Sequence, residues 1–101
     1  MMRPTLWLTR RKLKAKSPRT RLRAIRKLRA LADPNLIELL AEALGDEEME
    51  IRREAAGALG EVKDESAVRA LIGALRDSSE PVQEAAIQAL ELEILLTGGE
   101  S

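Results

Sequence analysis

The chain has no cysteine, histidine, tyrosine or phenylalanine, and Trp7 is its one aromatic residue. Without cysteine or histidine there is no disulfide scaffold, thiolate nucleophile, zinc finger or imidazole acid–base catalyst. Without rings or β-branched runs there is little to build a sandwich or barrel from, and a core of Leu, Ile, Val and Ala points to closely packed helices. No apolar run approaches the roughly 18 residues of a membrane span. Arg3 and Pro4 are followed by only Leu6-Trp7-Leu8, which is too short for a secretory signal. What is present is 101 residues, 45% of them hydrophobic, enough for one small domain with a packed core. The lack of cysteine is compatible with a reducing compartment, and a cytoplasmic location is expected.

Acidic residues are absent from the first third of the chain. Twelve of the 17 basic residues lie within residues 1–32, and all 17 acidic residues lie beyond them. The formal net charge of zero therefore conceals a basic segment followed by an acidic one. Such asymmetry implies an anionic partner for one end, or pairing of opposite ends.

A shift of 31 residues superimposes the chain on itself without gaps. It places Ala24 on Ala55, Leu28 on Leu59, Asp33 on Asp64, Leu40 on Leu71, Leu44 on Leu75 and Asp46 on Asp77. Three units follow, at about 4–31, 35–62 and 66–93, with 97–101 expected as a flexible tail. Each unit holds two amphipathic segments. Leu36, Ile37, Leu40 and Leu44 recur at helical spacing after the Asp33-Pro34-Asn35 turn, and Gly45 is placed to end that helix with a positive φ. Asp46, Glu47 and Glu48 then open a helix carrying Ile51, Ala55, Ala58, Leu59 and Val62, with Gly60 near its end. The third unit repeats the scheme through Ala67, Leu71, Leu75, Val82, Ala86 and Leu90. Pro18 and Pro81 fall in first turns, where a missing N–H costs nothing. The fold class is all-α, with six helices in three hairpins.

The run from Met49 to Gly60, followed by Asp64 to Asp77, resembles the HEAT repeat, most closely the short HEAT-like repeats of phycobilisome lyase type. The resemblance covers about nine-tenths of the chain and implies a short α-solenoid, first helices on the convex side and second helices on the concave side. It also implies a ladder between neighbouring repeats, made by a loop Asp and an Arg six residues later. The Asp positions fall on Ala15, Asp46 and Asp77, and the Arg positions on Arg21, Arg52 and Gln83. Asp46, Arg52, Asp77 and Arg21 are the expected ladder residues; Asp and Arg occur together only in the middle unit, so Asp46 with Arg52 is the expected pair. The terminal units depart from the pattern, as caps do. A lyase activity does not travel with the repeat, because the fold hosts many functions.

The remaining polar clusters read as structure. Asp46-Glu47-Glu48 with Glu50 lacks the glycine and alternating oxygens of a calcium loop and sits where a helix start favours carboxylates. Glu38 and Glu42 fit a solvated helix face, Ser66, Ser78 and Ser79 fit caps and turns, and Gly98-Gly99 has no phosphate-loop context. No catalytic residue, metal ligand or cofactor is expected.

The basic segment is the functional lead. Helical spacing places Arg19, Arg23 and Arg26 along one exposed face, with Arg53 alongside in the next unit. Arginine-bearing faces suit protein recognition, so the leading reading is a non-enzymatic interaction module or scaffold with an acidic protein partner. Contact with a nucleic acid through the basic first repeat is the alternative, although only Trp7 offers a ring for stacking. An accessory subunit of a lyase-type enzyme is a distant third. The last helix also carries Leu92, Leu95 and Leu96 with no further helix in the sequence to cover them, and self-association through that helix is expected, either as a tail-to-tail homodimer through these leucines or head to tail onto the basic first repeat.

Overall fold

The computed structural model describes residues 4–96, with side chains from Trp7 to Glu91. Among these are six helices and no strand: α1 (Pro4–Lys12), α2 (Pro18–Leu31), α3 (Ile37–Ala43), α4 (Met49–Gly60), α5 (Glu65–Ala74) and α6 (Glu80–Leu96). A 3-10 turn, Pro34–Leu36, leads into α3. The tail 97–101 and the side chains of Leu92, Leu95 and Leu96 lie outside the described residues.

Helix starts are fixed by short polar side chains. Ser17 Oγ accepts the Thr20 N–H at 3.3 Å ahead of Pro18. Asp33, Asp46, Asp64 and Asp77 each accept the N–H two residues on, at 2.8–2.9 Å. These four aspartates form two sets 31 residues apart, so the repeat seen in the apolar positions extends to the turns.

The helix ends differ from expectation. Gly45 lies outside the left-handed region; α3 closes through Leu44 in right-handed conformation and passes directly into the Asp46 turn. The left-handed residue is instead Ala32, at φ 45° and ψ 41°, whose N–H donates to the Arg29 carbonyl at 3.1 Å. A Cβ in that conformation costs about 1–2 kcal/mol, partly recovered in glycine's larger loss of chain entropy on folding. Ala32→Gly is therefore expected to raise the unfolding free energy by about 0.5–1 kcal/mol, read as a higher urea midpoint at unchanged slope. A lower midpoint would contradict it.

The helices form two layers. Cα extents of 41 × 34 × 16 Å give a slab whose thin dimension holds two helices at the usual spacing. In one layer α4 lies between α2 and α6 and packs closely on both; in the other, α3 and α5 barely meet. Alanine and glycine set this asymmetry. Ala55, Ala56, Ala58 and Gly60 on α4 and Ala86 and Ala89 on α6 are all buried. A Cβ on Gly60 would strike Ala89 Cβ. The second helices, α2, α4 and α6, thus form the tighter, inner layer. Between the layers runs one core built around Ile25, Leu28, Leu40, Ile51, Leu59 and Leu71. Leu31 and Leu75, the latter part of the apolar pattern, are exposed.

Candidate partner-binding face and the ladder beneath it

Between hairpins the structure replaces the expected Asp46–Arg52 pair with a different one. Arg21 clamps Asp46 with both arms of its guanidinium, Nε to Oδ2 at 2.9 Å and Nη2 to Oδ1 at 3.2 Å. Arg52 holds Asp77 in the same geometry, 2.9 and 3.2 Å. Each aspartate is thus bound by the arginine 25 residues earlier, in the preceding hairpin. The six-residue spacing serves another contact: Arg52 donates to the Asp46 backbone carbonyl at 2.8 Å, and Arg21 to that of Ala15 at 2.6 Å. One turn of helix returns the guanidinium to its own loop, while its far edge reaches the next hairpin. Gln83 retains only the loop contact, to the Asp77 carbonyl at 2.6 Å. Ser79 joins this rung, its hydroxyl accepting from Arg52 at 3.0 Å. The Asp46 hydrogen bond raises the Arg21 pKa against the opposing effect of burial. A raised base keeps its contribution through neutrality and loses it as pH rises into strong alkali, so this rung is constant around neutral pH.

The inner layer carries the predicted arginines. Arg19, Arg23 and Arg26 line one shallow depression beside Leu22 and Glu50, and Arg26, Glu50 and Arg53 line a second, of about 380 Å³, that runs on to Gln88 of α6. Since Arg26 and Glu50 border both, the two form one open trough across α2, α4 and α6. Arg26 lies 3.8 Å from Glu54, a loose pairing. Arg19, Arg23 and Arg53 are exposed and make no ion pair among the described residues.

Arg29 belongs to the same basic run, yet it is internally satisfied. It donates to Glu54 at 2.8 Å and to both oxygens of Glu61 at 3.0 Å, and the Glu61 bond leads in raising its pKa. Its guanidinium lies over Gly57, where any Cβ would press on it. The signal was present in the sequence: Arg29 and Glu54 are 25 residues apart, the same offset as both ladder pairs.

The other candidates lie where solvated or structural groups lie. Glu38 and Glu42 are exposed, and among the described residues no cluster of three or more carboxylates is arranged to hold a metal. Trp7 is half exposed on α1, in the other layer, with the Arg11 guanidinium 5.4 Å from its ring centre. It cannot join the trough. No helix among the described residues is long and apolar enough to cross a membrane.

The comparisons with known proteins agree with this architecture. No curated protein matches the chain. Among solved structures, the chain is similar to one in the complex of CpcE and CpcF of phycocyanin lyase from Nostoc sp., with a TM-score of 0.77 and 29% identity. That match covers 92% of this chain and 38% of the other, so the chain spans well under half the length of its neighbour. The family model for HEAT repeats matches residues 7–91. The chain belongs to the HEAT repeat family.

Proposed function

We propose that the chain is a non-catalytic protein-interaction module whose inner trough receives an acidic segment of a partner protein. The observation that carries this reading is the set of arginines left over once the internal pairs are assigned. Arg21, Arg29 and Arg52 are consumed by Asp46, Glu54, Glu61 and Asp77, whereas Arg19, Arg23 and Arg53 line an open trough, shared with Glu48 and Glu50, and make no ion pair among the described residues. Arginine is favoured at such interfaces because its planar fork matches carboxylates and loses little entropy on pairing. The neighbour described above is a subunit of a two-protein complex, which supports a role inside an assembly. A part in a lyase assembly would be of the same kind, as an accessory surface. A cytoplasmic location is part of the proposal.

The test is a titration with a polyglutamate peptide and, separately, an unrelated DNA duplex, for the native chain and Arg19→Glu/Arg23→Glu/Arg26→Glu. The peptide is expected to bind and to lose at least about tenfold in affinity with the triple variant, whose helical circular dichroism should be unchanged. Capture from the source cell by both forms then identifies the partner. Binding of the duplex in preference to the peptide, with a steep loss in salt, would move the reading to nucleic acid.

A further inference from the structure

Because the hairpins are related by a constant 31-residue shift, each position in a contact between the first two has an image on the outgoing face of the third or the incoming face of the first. The outgoing face of the first hairpin, with Arg21, Ile25 and Arg29, corresponds to Gln83, Ile87 and Glu91 on the third. The incoming face of the second, with Leu39, Asp46 and Glu54, corresponds to Leu8, Ala15 and Arg23 on the first.

The images of the Arg29–Glu54 and Arg21–Asp46 contacts are chemically compatible, while Glu61, the second partner of Arg29, has Ala30 at its image. The Arg29–Glu54 bond, 2.8 Å within the chain, becomes Glu91 facing Arg23: the same two side-chain types, with donor and acceptor exchanged. The Arg21–Asp46 rung becomes Gln83 facing Ala15. Had only one of these positions changed, a charge would stand unpaired in a seam that is nearly buried inside the chain; with both changed, neither end brings one. Ile25 and Leu39, which border one small cavity and are buried, become Ile87 and Leu8, exposed by 47% and 46%. Glu91 and Arg23 are both exposed and make no ion pair among the described residues.

We propose that the outgoing face of the third hairpin is a docking surface for the first hairpin of a second copy of this chain, which continues the repeat head to tail. Ile87 packs on Leu8, and Glu91 pairs with Arg23 across the junction. The contact is heterologous, so it adds copies in an open row rather than closing as a pair. Arg23 is shared with the trough, but Glu91 is not: Glu91→Arg leaves Arg19, Arg23, Arg26 and Arg53 in place, so its outcome is separable from the peptide titration above.

The experiment is sedimentation equilibrium of the full chain from about 10 to 300 μM, a range in which weak association is populated. Weight-average mass is expected to keep rising beyond that of a dimer. Glu91→Arg and Arg23→Glu should each weaken association about fivefold or more by placing like charges together, and the double variant should restore it. Glu91→Arg with Lys63→Glu, which has the same net charge, should not. Circular dichroism checks that each variant is folded. A monomer throughout, a mass that levels at a dimer as a two-fold contact through Leu92, Leu95 and Leu96 would give, or failure of the double variant to restore association would overturn the proposal.

Discussion

Replacing Asp46 with alanine is expected to lower the unfolding free energy by about 3 kcal/mol, among the largest effects available to one side chain here. Asp46 has two tasks. Its carboxylate receives both arms of Arg21, and its Oδ1 also accepts the Glu48 N–H at 2.9 Å, which sets the turn into α4. The side chains of the pair are only 9% and 12% exposed, so the guanidinium left behind has little water to turn to. Two loop carbonyls, of Ala15 and Lys16, still accept from it, and they keep the cost near the lower end of the range for breaking a buried pair. Asp46→Asn preserves the turn bond and one acceptor and is expected to cost roughly half as much. Asp77→Ala should resemble Asp46→Ala, because Arg52 repeats the geometry and likewise keeps a loop carbonyl.

A double-mutant cycle separates pairing from turn formation. Arg21→Met/Asp46→Ala removes both charges, so no buried ion is stranded, and it should cost less than the sum of the single changes by about 1–2 kcal/mol. Additive costs in urea unfolding would show that the rung does not couple the hairpins and that Asp46 acts only in its own turn.

The architecture was legible because burial in a repeat is written three times. Ala24, Ala55 and Ala86, and Leu28, Leu59 and Leu90, reinforce one another, and the aspartate turns punctuate the second and third units at the same interval. Pairing between hairpins was harder to read. A six-residue spacing joins Arg52 to the loop of its own hairpin, where it meets a carbonyl rather than a carboxylate. Its carboxylate partner lies one hairpin on, and that choice depends on how the layers stack. The same limit hid Arg29: composition shows one basic segment, while stacking divides it into arginines that tie the hairpins together and arginines that face the trough. The alignment of Arg19, Arg23 and Arg26 was readable because helical spacing alone decides it. Glycine misled for a related reason. A loop position such as Gly45 invites a left-handed reading, but the backbone reaches that region at Ala32.

Gly60 shows what glycine does here, and Gly60→Ala is expected to cost about 2 kcal/mol net. It is the last residue of α4, at the place where the inner layer is tightest, and an added Cβ would meet both Ala89 Cβ and, at 3.0 Å, Ala89 Cα. Neither atom can rotate aside. The methyl group must separate α4 from α6 or bend one of them, and overpacking of this kind costs about 1–3 kcal/mol and locally more. Alanine's better helix propensity returns at most about 1 kcal/mol, less at a helix end. Gly73 provides the opposite case on α5: nothing lies within 4 Å of its added Cβ, and Gly73→Ala should raise stability by about 0.5–1 kcal/mol. Gly57 falls between them, because its added Cβ meets the Arg29 guanidinium, a flexible end that can shift at the expense of its bonds to Glu54 and Glu61. Urea midpoints for the three alanine variants should therefore fall in the order Gly73, Gly57, Gly60, highest to lowest. If Gly60→Ala matched Gly73→Ala, the close approach of α4 and α6 would carry no energetic weight, and helix propensity alone would set the order.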